Sequence, residues 1–172
     1  MTQTGRQHST ALRKKQLLAE AAQIIGKRGY FGFGLQELAD RCGITKAGLL
    51  HHFGSKEQLL VELLRERDRQ YGAVIVGLQS ANDFQDVDTL TRDGVLETLR
   101  GIVAQNVAHP ELLRLYSVLS LEALNPRHPA HDFFAAREAA TRELFSHMLE
   151  PHVDAPRIRA LHVLASMKGL EQ

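Results

Sequence analysis

The sequence predicts an all-α protein, and three observations carry that expectation. Leucine and alanine together number 45, against 24 for valine, isoleucine and threonine, a ratio that favours helix over strand. Apolar residues recur at steps of three, four and seven, and no alternation of period two is sustained. The five prolines, Pro110, Pro126, Pro129, Pro151 and Pro156, all fall where a periodic stretch begins or ends. The expected architecture is a three-helix head with a helix-turn-helix over 1–55, joined through a long helix to a helical bundle over 56–172.

The elements follow in order. Leu17, Ala21, Ile24 and Ile25 share one face of a first helix from Thr10 to Lys27, and Gly29 ends it because glycine takes the left-handed closing conformation without a Cβ penalty. Tyr30, Phe31 and Phe33 form an aromatic connector. A short helix covers Leu35 to Cys42, Gly43 interrupts, and a third helix starts at Thr45, an N-cap residue type, and ends near His52. Ser55 caps a long fourth helix carrying Leu60, Leu64, Tyr71, Ile75 and Leu78 on one stripe. The polar stretch from Ser80 to Asp93 reads as a loop. Helix five is expected over Gly94 to Ala108, ended by Pro110. Helix six, Glu111 to Leu124, is apolar nearly all round and is therefore expected to be central and buried. Helix seven spans Ala130 to Leu149, and an eighth starts at Pro156 and is still helical in pattern where the sequence stops.

The net charge of +1 conceals an asymmetry. Residues 1–56 hold nine basic and three acidic residues, a net of +6, while the remainder holds twelve and seventeen, a net of −5. A basic head on an acidic body suits a polyanion-binding module attached to something else. No apolar run approaches the roughly 20 residues a membrane span needs, and the polar first sixteen residues lack the apolar core of a secretory signal. A single cysteine, Cys42, makes neither an internal disulfide nor a metal cage, so a cytoplasmic location is expected.

The informative segment is Leu35 to Phe53. Two short helices joined by a tight turn containing a glycine describe a helix-turn-helix. Ala39 allows close approach where the helices cross, Gly43 supplies the turn, and Ile44 and Leu49 pin the second helix to the core. Thr45, Lys46, Ala47, Gly48, His51 and His52 are left on or near its exposed face. Small residues and a lysine suit a helix that must enter a groove about 12 Å wide.

The stretch from Arg13 through Leu60 resembles the DNA-binding domain of the tetracycline-repressor (TetR) family. The matching pieces are the alanine-rich first helix ending in Gly29-Tyr30, then Leu38-Ala39, Gly43-Ile44-Thr45-Lys46, and His52-Phe53-x-Ser55-Lys56-Glu57-x-Leu59-Leu60. The resemblance implies double-stranded DNA as partner, with Thr45, Lys46 and Gly48 approaching bases or flanking phosphates. Gln36, His51, His52 and Lys56 would hold the backbone. It further implies a body that binds a small-molecule effector and a homodimer released from a palindromic operator when the effector binds. Three positions depart from the family pattern. Leu50 stands where a phosphate-binding tyrosine is usual, Gly34 replaces a serine or threonine, and only the first of two closing dimer helices is visible, so the last helix is expected to be missing from this sequence.

Several polar residues interrupt apolar stripes in the body: Asn106 on helix five, Tyr116, Ser120 and Glu122 on helix six, and Arg137 on helix seven beside Phe133, Phe134 and Leu144. Buried polar groups need partners. Glu122 and Arg137 either pair across the core, with Asn106 capping a carbonyl, or they line a ligand site together with Tyr71, Tyr116, Ser120 and Phe134. Leu161, Ala165 and Gly169 step by four along helix eight, as a dimer surface or a core stripe. His128, His131 and His109 lack the fixed spacing of a metal site, and no nucleophile elbow, phosphate loop or zincin motif occurs. No metal, cofactor or enzymatic activity is expected. The rival to DNA binding is a helical adaptor whose basic head meets an acidic protein.

Overall fold

In a computed structural model, the protein is described over residues 3–76 and 90–169, with side chains described over 12–68, 90–104 and 106–167. The described residues form eight helices: α1 (Gln3–Arg28), α2 (Leu35–Arg41), α3 (Lys46–Phe53), α4 (Lys56–Val76), α5 (Arg92–Ala108), α6 (Pro110–Glu122), α7 (His131–Leu149) and α8 (Pro156–Gly169). Among the described residues no helix is long and apolar enough to cross a membrane.

The all-α expectation holds, with differences at the ends of elements. Helix α1 starts seven residues earlier than the apolar periodicity indicates, because its first turns are polar and carry no stripe to count. Helix α5 starts at Arg92, inside the stretch read as a loop, where the Thr91 hydroxyl accepts the Gly94 N–H at 3.2 Å and supplies a cap. Residues 80–89 of that stretch, Leu78, and the side chains of Tyr71 and Ile75 lie outside the described residues. Pro110 opens α6, a position its fixed φ and missing N–H suit. Helix α6 is not buried all round. Leu112, Leu115 and Leu119, at steps of three and four, are buried, whereas Leu121 on the other side is 69% exposed. Counting apolar residues could not separate the two faces.

The chain divides into two compact units, Met1–Arg65 with Arg114–His131, and Glu66–Leu113 with Asp132–Gln172. The division is one of packing and falls inside both α4 and α6, whereas the boundary at 55/56 is one of motif. In the first unit Leu17, Ile24 and Ile25 of α1, Leu38 and Ala39 of α2, Leu49 of α3, Leu59, Leu60, Leu63 and Leu64 of α4, and Leu115 and Leu119 of α6 are fully buried. Each such leucine or isoleucine contributes about 1.5–3 kcal/mol by leaving water. The second unit gathers Val95, Ile102, Phe145, Met148, Leu149 and Ala160. Around them pack the half-buried Leu90, Leu99, Leu144, Val153, Val163, Leu164 and Met167.

Candidate nucleic-acid interface

The turn between α2 and α3 is built from the sequence upward. Gly43 takes a left-handed φ of +63°, and the backbone closes twice behind it. The Ile44 N–H donates to the Ala39 carbonyl at 3.0 Å and the Gly43 N–H to the Asp40 carbonyl at 3.2 Å. This is the six-to-one and five-to-two pair of a Schellman ending. Thr45 then enters α3 in an extended conformation, and its hydroxyl oxygen accepts the Gly48 N–H at 3.0 Å. Leu49 and Phe53, buried, fix which face of α3 turns inward. From α1, the Arg13 guanidinium donates to the Cys42 carbonyl at 2.6 Å and clamps the turn.

On the face that remains outward, Thr45, Lys46, Ala47 and His51 are exposed. Lys46 is exposed and has no internal partner among the described residues. Thr45 is exposed, with its oxygen occupied as the cap. Gly48 is half-buried, and a Cβ there would come within 3.3 Å of the Thr45 hydroxyl, which explains a glycine one turn into α3. His51 is exposed and meets the half-buried His52 edge-on at 6.2 Å. Gln36, exposed on α2, donates to Asp40 at 2.7 Å. At the two departures, Leu50 is half-buried and Gly34 caps α2 without a side chain, in open space.

Lys56 is placed differently from the expectation of a simple backbone-binding cation. Its ammonium sits 4.4 Å from the centre of the Tyr30 ring and 5.5 Å from that of Phe33, a cation–π arrangement. Burial lowers its pKa, against the opposing pull of Glu57 and Glu122. It enters α4 just after Ser55, whose hydroxyl accepts the Gln58 N–H at 3.1 Å as N-cap.

Much of the basicity of the head serves the fold. Lys14 pairs with Glu62 at 2.5 Å and lies over the Phe53 ring at 5.3 Å. Arg41 bridges Glu20 and Glu37, each at 2.9 Å, and Arg28 meets Glu37 at 2.9 Å. Lys15, Lys27 and Lys46 are exposed without such a partner among the described residues, and only Lys46 lies on α3.

Sequence reasoning placed Tyr30 in the aromatic connector and gave it no site role. Its N–H donates to the Glu122 carboxylate at 2.8 Å and its hydroxyl to Glu57 at 3.1 Å. Burial, then the charge of Glu57, push its phenol well above the ordinary value. Glu57 is held below the usual carboxylate range by its own N–H, the Ser55 hydroxyl and Tyr30. The Ser55-x-x-Gln58 spacing of a capping box was the one local cue to this junction; the tie to Glu122 had none.

The residues expected at an effector site divide between the units. Tyr116, Ser120 and Glu122 belong to the first, and Tyr71, Asn106, Phe134 and Arg137 to the second. Glu122 and Arg137 do not pair with each other. Glu122 takes Tyr30 and faces His128, and the Arg137 guanidinium donates to Asp68 at 3.1 Å, because each meets an opposite or donating group within its own unit. The Tyr116 hydroxyl donates to the Leu64 carbonyl at 3.2 Å and the Ser120 hydroxyl to the Ser117 carbonyl at 3.0 Å. Phe134 is half-buried, edge-on to Phe133 at 5.4 Å. No group of three or more metal-ligating side chains occurs among the described residues.

Residues 17–63, which span α2 and α3 with the last twelve residues of α1 and the start of α4, match the profile of bacterial regulatory proteins, tetR family. Over these residues the chain is similar to the tetR family. FasR, a transcriptional activator of Mycolicibacterium smegmatis, is 38% identical over 72 residues, which are 41% of this chain and 33% of that protein. KstR2, a transcriptional repressor of the same organism, is 41% identical over 56 residues, 33% of this chain and 27% of that protein. The match thus spans about a third of these TetR relatives. The fold likeness reaches further. AibR, solved in complex with isovaleryl coenzyme A and operator DNA, superposes with a TM-score of 0.64 over 92% of this chain and 85% of its own, at 23% identity.

Proposed function

We propose that this protein is a ligand-responsive DNA-binding transcriptional regulator of the TetR family. In this reading it is a cytoplasmic homodimer that represses from a palindromic operator and is released by a small-molecule effector. The observation that carries the reading is α3 itself: a capped eight-residue helix, pinned inward by Leu49 and Phe53, that presents the exposed Lys46, whose ammonium has no partner among the described residues. Similar proteins support it, since KstR2 is a repressor and AibR was solved with both isovaleryl coenzyme A and operator DNA.

Residues 1–55 are the DNA-binding part and 56–172 the regulatory and dimerising part. Thr45, Lys46 and Gly48 approach bases and flanking phosphates, and Gln36, His51 and His52 meet the backbone. Lys56 adds a phosphate contact only from its place over Tyr30. Phosphate contacts set affinity and base contacts set sequence choice, and with so few long side chains on α3 DNA shape carries much of the choice. Two heads must lie about 34–36 Å apart, or a multiple of that, to reach successive major grooves on one side. The second unit holds the effector, with Tyr71, Asn106, Phe134 and Arg137 as its contacts. Tyr116, Ser120 and Glu122 have local duties in the first unit. The effector acts only through a difference in its affinity for the two spacings of the heads.

Selection of random duplex DNA by the purified chain at about 0.15 M salt tests this reading, with recovery of a palindrome expected. If Lys46 meets phosphate alone, Lys46→Ala should weaken all duplexes alike and reduce the log–log salt slope by about 0.9; a changed ranking of sequences would assign it a base contact. A folded protein that recovers no duplex overturns the reading in favour of an adaptor for an acidic protein.

A further inference from the structure

Glu122 is the last residue of α6, and its side chain is three-quarters buried, with no lysine or arginine within ion-pairing distance among the described residues. A half-buried carboxylate is costly unless donors satisfy it. Here the donor is the Tyr30 N–H, at 2.8 Å, one of the backbone groups left over where α1 ends. The site is shaped for that oxygen. Gly29 has a φ of +71°, and a Cβ on it would collide with the Glu122 carboxylate. His128, its side chain fully buried, stands edge-on to Tyr30 at 5.1 Å and Phe31 at 5.5 Å, with its Nε2 3.6 Å from the same carboxylate.

The contacts continue from there. Tyr30 passes its hydroxyl to Glu57 and takes the Lys56 ammonium on its ring. Both residues lie in the first turn of α4, and only Gly54 and Ser55 separate α4 from α3. A run of directed contacts therefore leads from the end of α6, through one tyrosine, to the junction that sets the angle of α3. We infer that Glu122 is a positioning residue for DNA reading. Its carboxylate fixes the Gly29–Tyr30 turn, and Tyr30 fixes the α3–α4 junction. Glu122 touches neither DNA nor effector in this scheme, and the inference rests on the DNA-binding function proposed above.

The test uses the full chain, an operator recovered by the unaltered protein, binding by fluorescence anisotropy, and the Tyr30 amide resonance. Glu122→Ala should lower operator affinity about tenfold, within the range of substitutions along a coupling network. The Tyr30 amide proton should move upfield, and the salt slope should stay unchanged, because no phosphate contact is lost. Glu122→Gln, which keeps an oxygen for the same N–H, should restore most of the affinity. Lys46→Ala provides the contrast: weaker binding, a smaller salt slope and an unmoved Tyr30 amide. Should Glu122→Ala fail to fold, Glu122→Asp, whose shorter side chain keeps the charge but not the reach, carries the same expectation of a tenfold loss. A displaced Tyr30 amide with unaltered operator affinity overturns this inference alone. Failure of the unaltered protein to bind any duplex overturns the DNA-binding reading and this inference with it.

Discussion

The two units are held together in different ways. In the first, polar ties join separate helices at their ends: Arg13 on the α2–α3 turn, Arg41 between α1 and α2, Glu122 on the Tyr30 N–H and Tyr30 on Glu57. In the second, an apolar cluster gathers around Phe145 and Met148. Its ties between elements include Arg137 to Asp68 and the His152 ring to the Leu90 carbonyl at 2.7 Å. Hydrogen bonds constrain direction, while apolar contacts tolerate repacking. On the function proposed above, directed ties suit a unit that presents a helix at a fixed angle, and contacts that repack suit a unit that adapts to a ligand.

The largest expected effects separate the units by function. Leu49→Ala and Met148→Ala should each cost about 2–5 kcal/mol in urea unfolding. Duplex binding should vanish only for Leu49→Ala under conditions where both variants are folded. Equal loss of binding by Met148→Ala would break the contrast. Gly29→Ala should come next, at about 1–3 kcal/mol, for a side chain forced into the left-handed region, with the collision against Glu122 adding to it. Thermal melts against Gly34→Ala, at an extended glycine with open space around it, isolate that cost.

The pH dependence of the first unit tests its buried histidine. Burial lowers the His128 pKa below the ordinary 6.5, opposed only in part by Glu122, the charged group facing it. The folded protein thus holds His128 neutral, and the unfolded chain takes up the proton first as pH falls. Stability present above about pH 6.5 should decline as pH drops from there towards the folded value. His128→Asn, which keeps an acceptor for the Ala130 N–H now on Nδ1 at 3.2 Å, should flatten that decline in chemical unfolding between pH 7.5 and 5. An unchanged slope would assign the acid sensitivity elsewhere. The smallest effect belongs to the second unit. Asp68→Asn loosens a pair whose side chains are 40% and 36% exposed, and should cost under about 1 kcal/mol. A larger loss would show that this unit, too, relies on directed ties.

The same contrast explains what was legible in the sequence. The helix-turn-helix could be placed almost to the residue because its determinants are local: Gly43 for the left-handed turn, Thr45 and Ser55 for caps, Leu38, Ala39 and Leu49 for the inward face. Glu122 could be recognised as an odd polar residue but not assigned, because its partner lies 92 residues away and no periodicity connects them. Lys56 and Arg13 read as cations for a polyanion, yet the structure turns one onto aromatic rings and the other onto a carbonyl. Charge counting registers the sign of a side chain and is blind to where it is already engaged.

The turn clamped by Arg13 has one more property. Cys42, which lends its carbonyl to that clamp, carries the single thiol of the chain. It is half-buried, and burial raises its pKa, which keeps the reactive thiolate scarce at neutral pH. Alkylation of the native protein is therefore slow, and substitutions that loosen the helix-turn-helix should speed it.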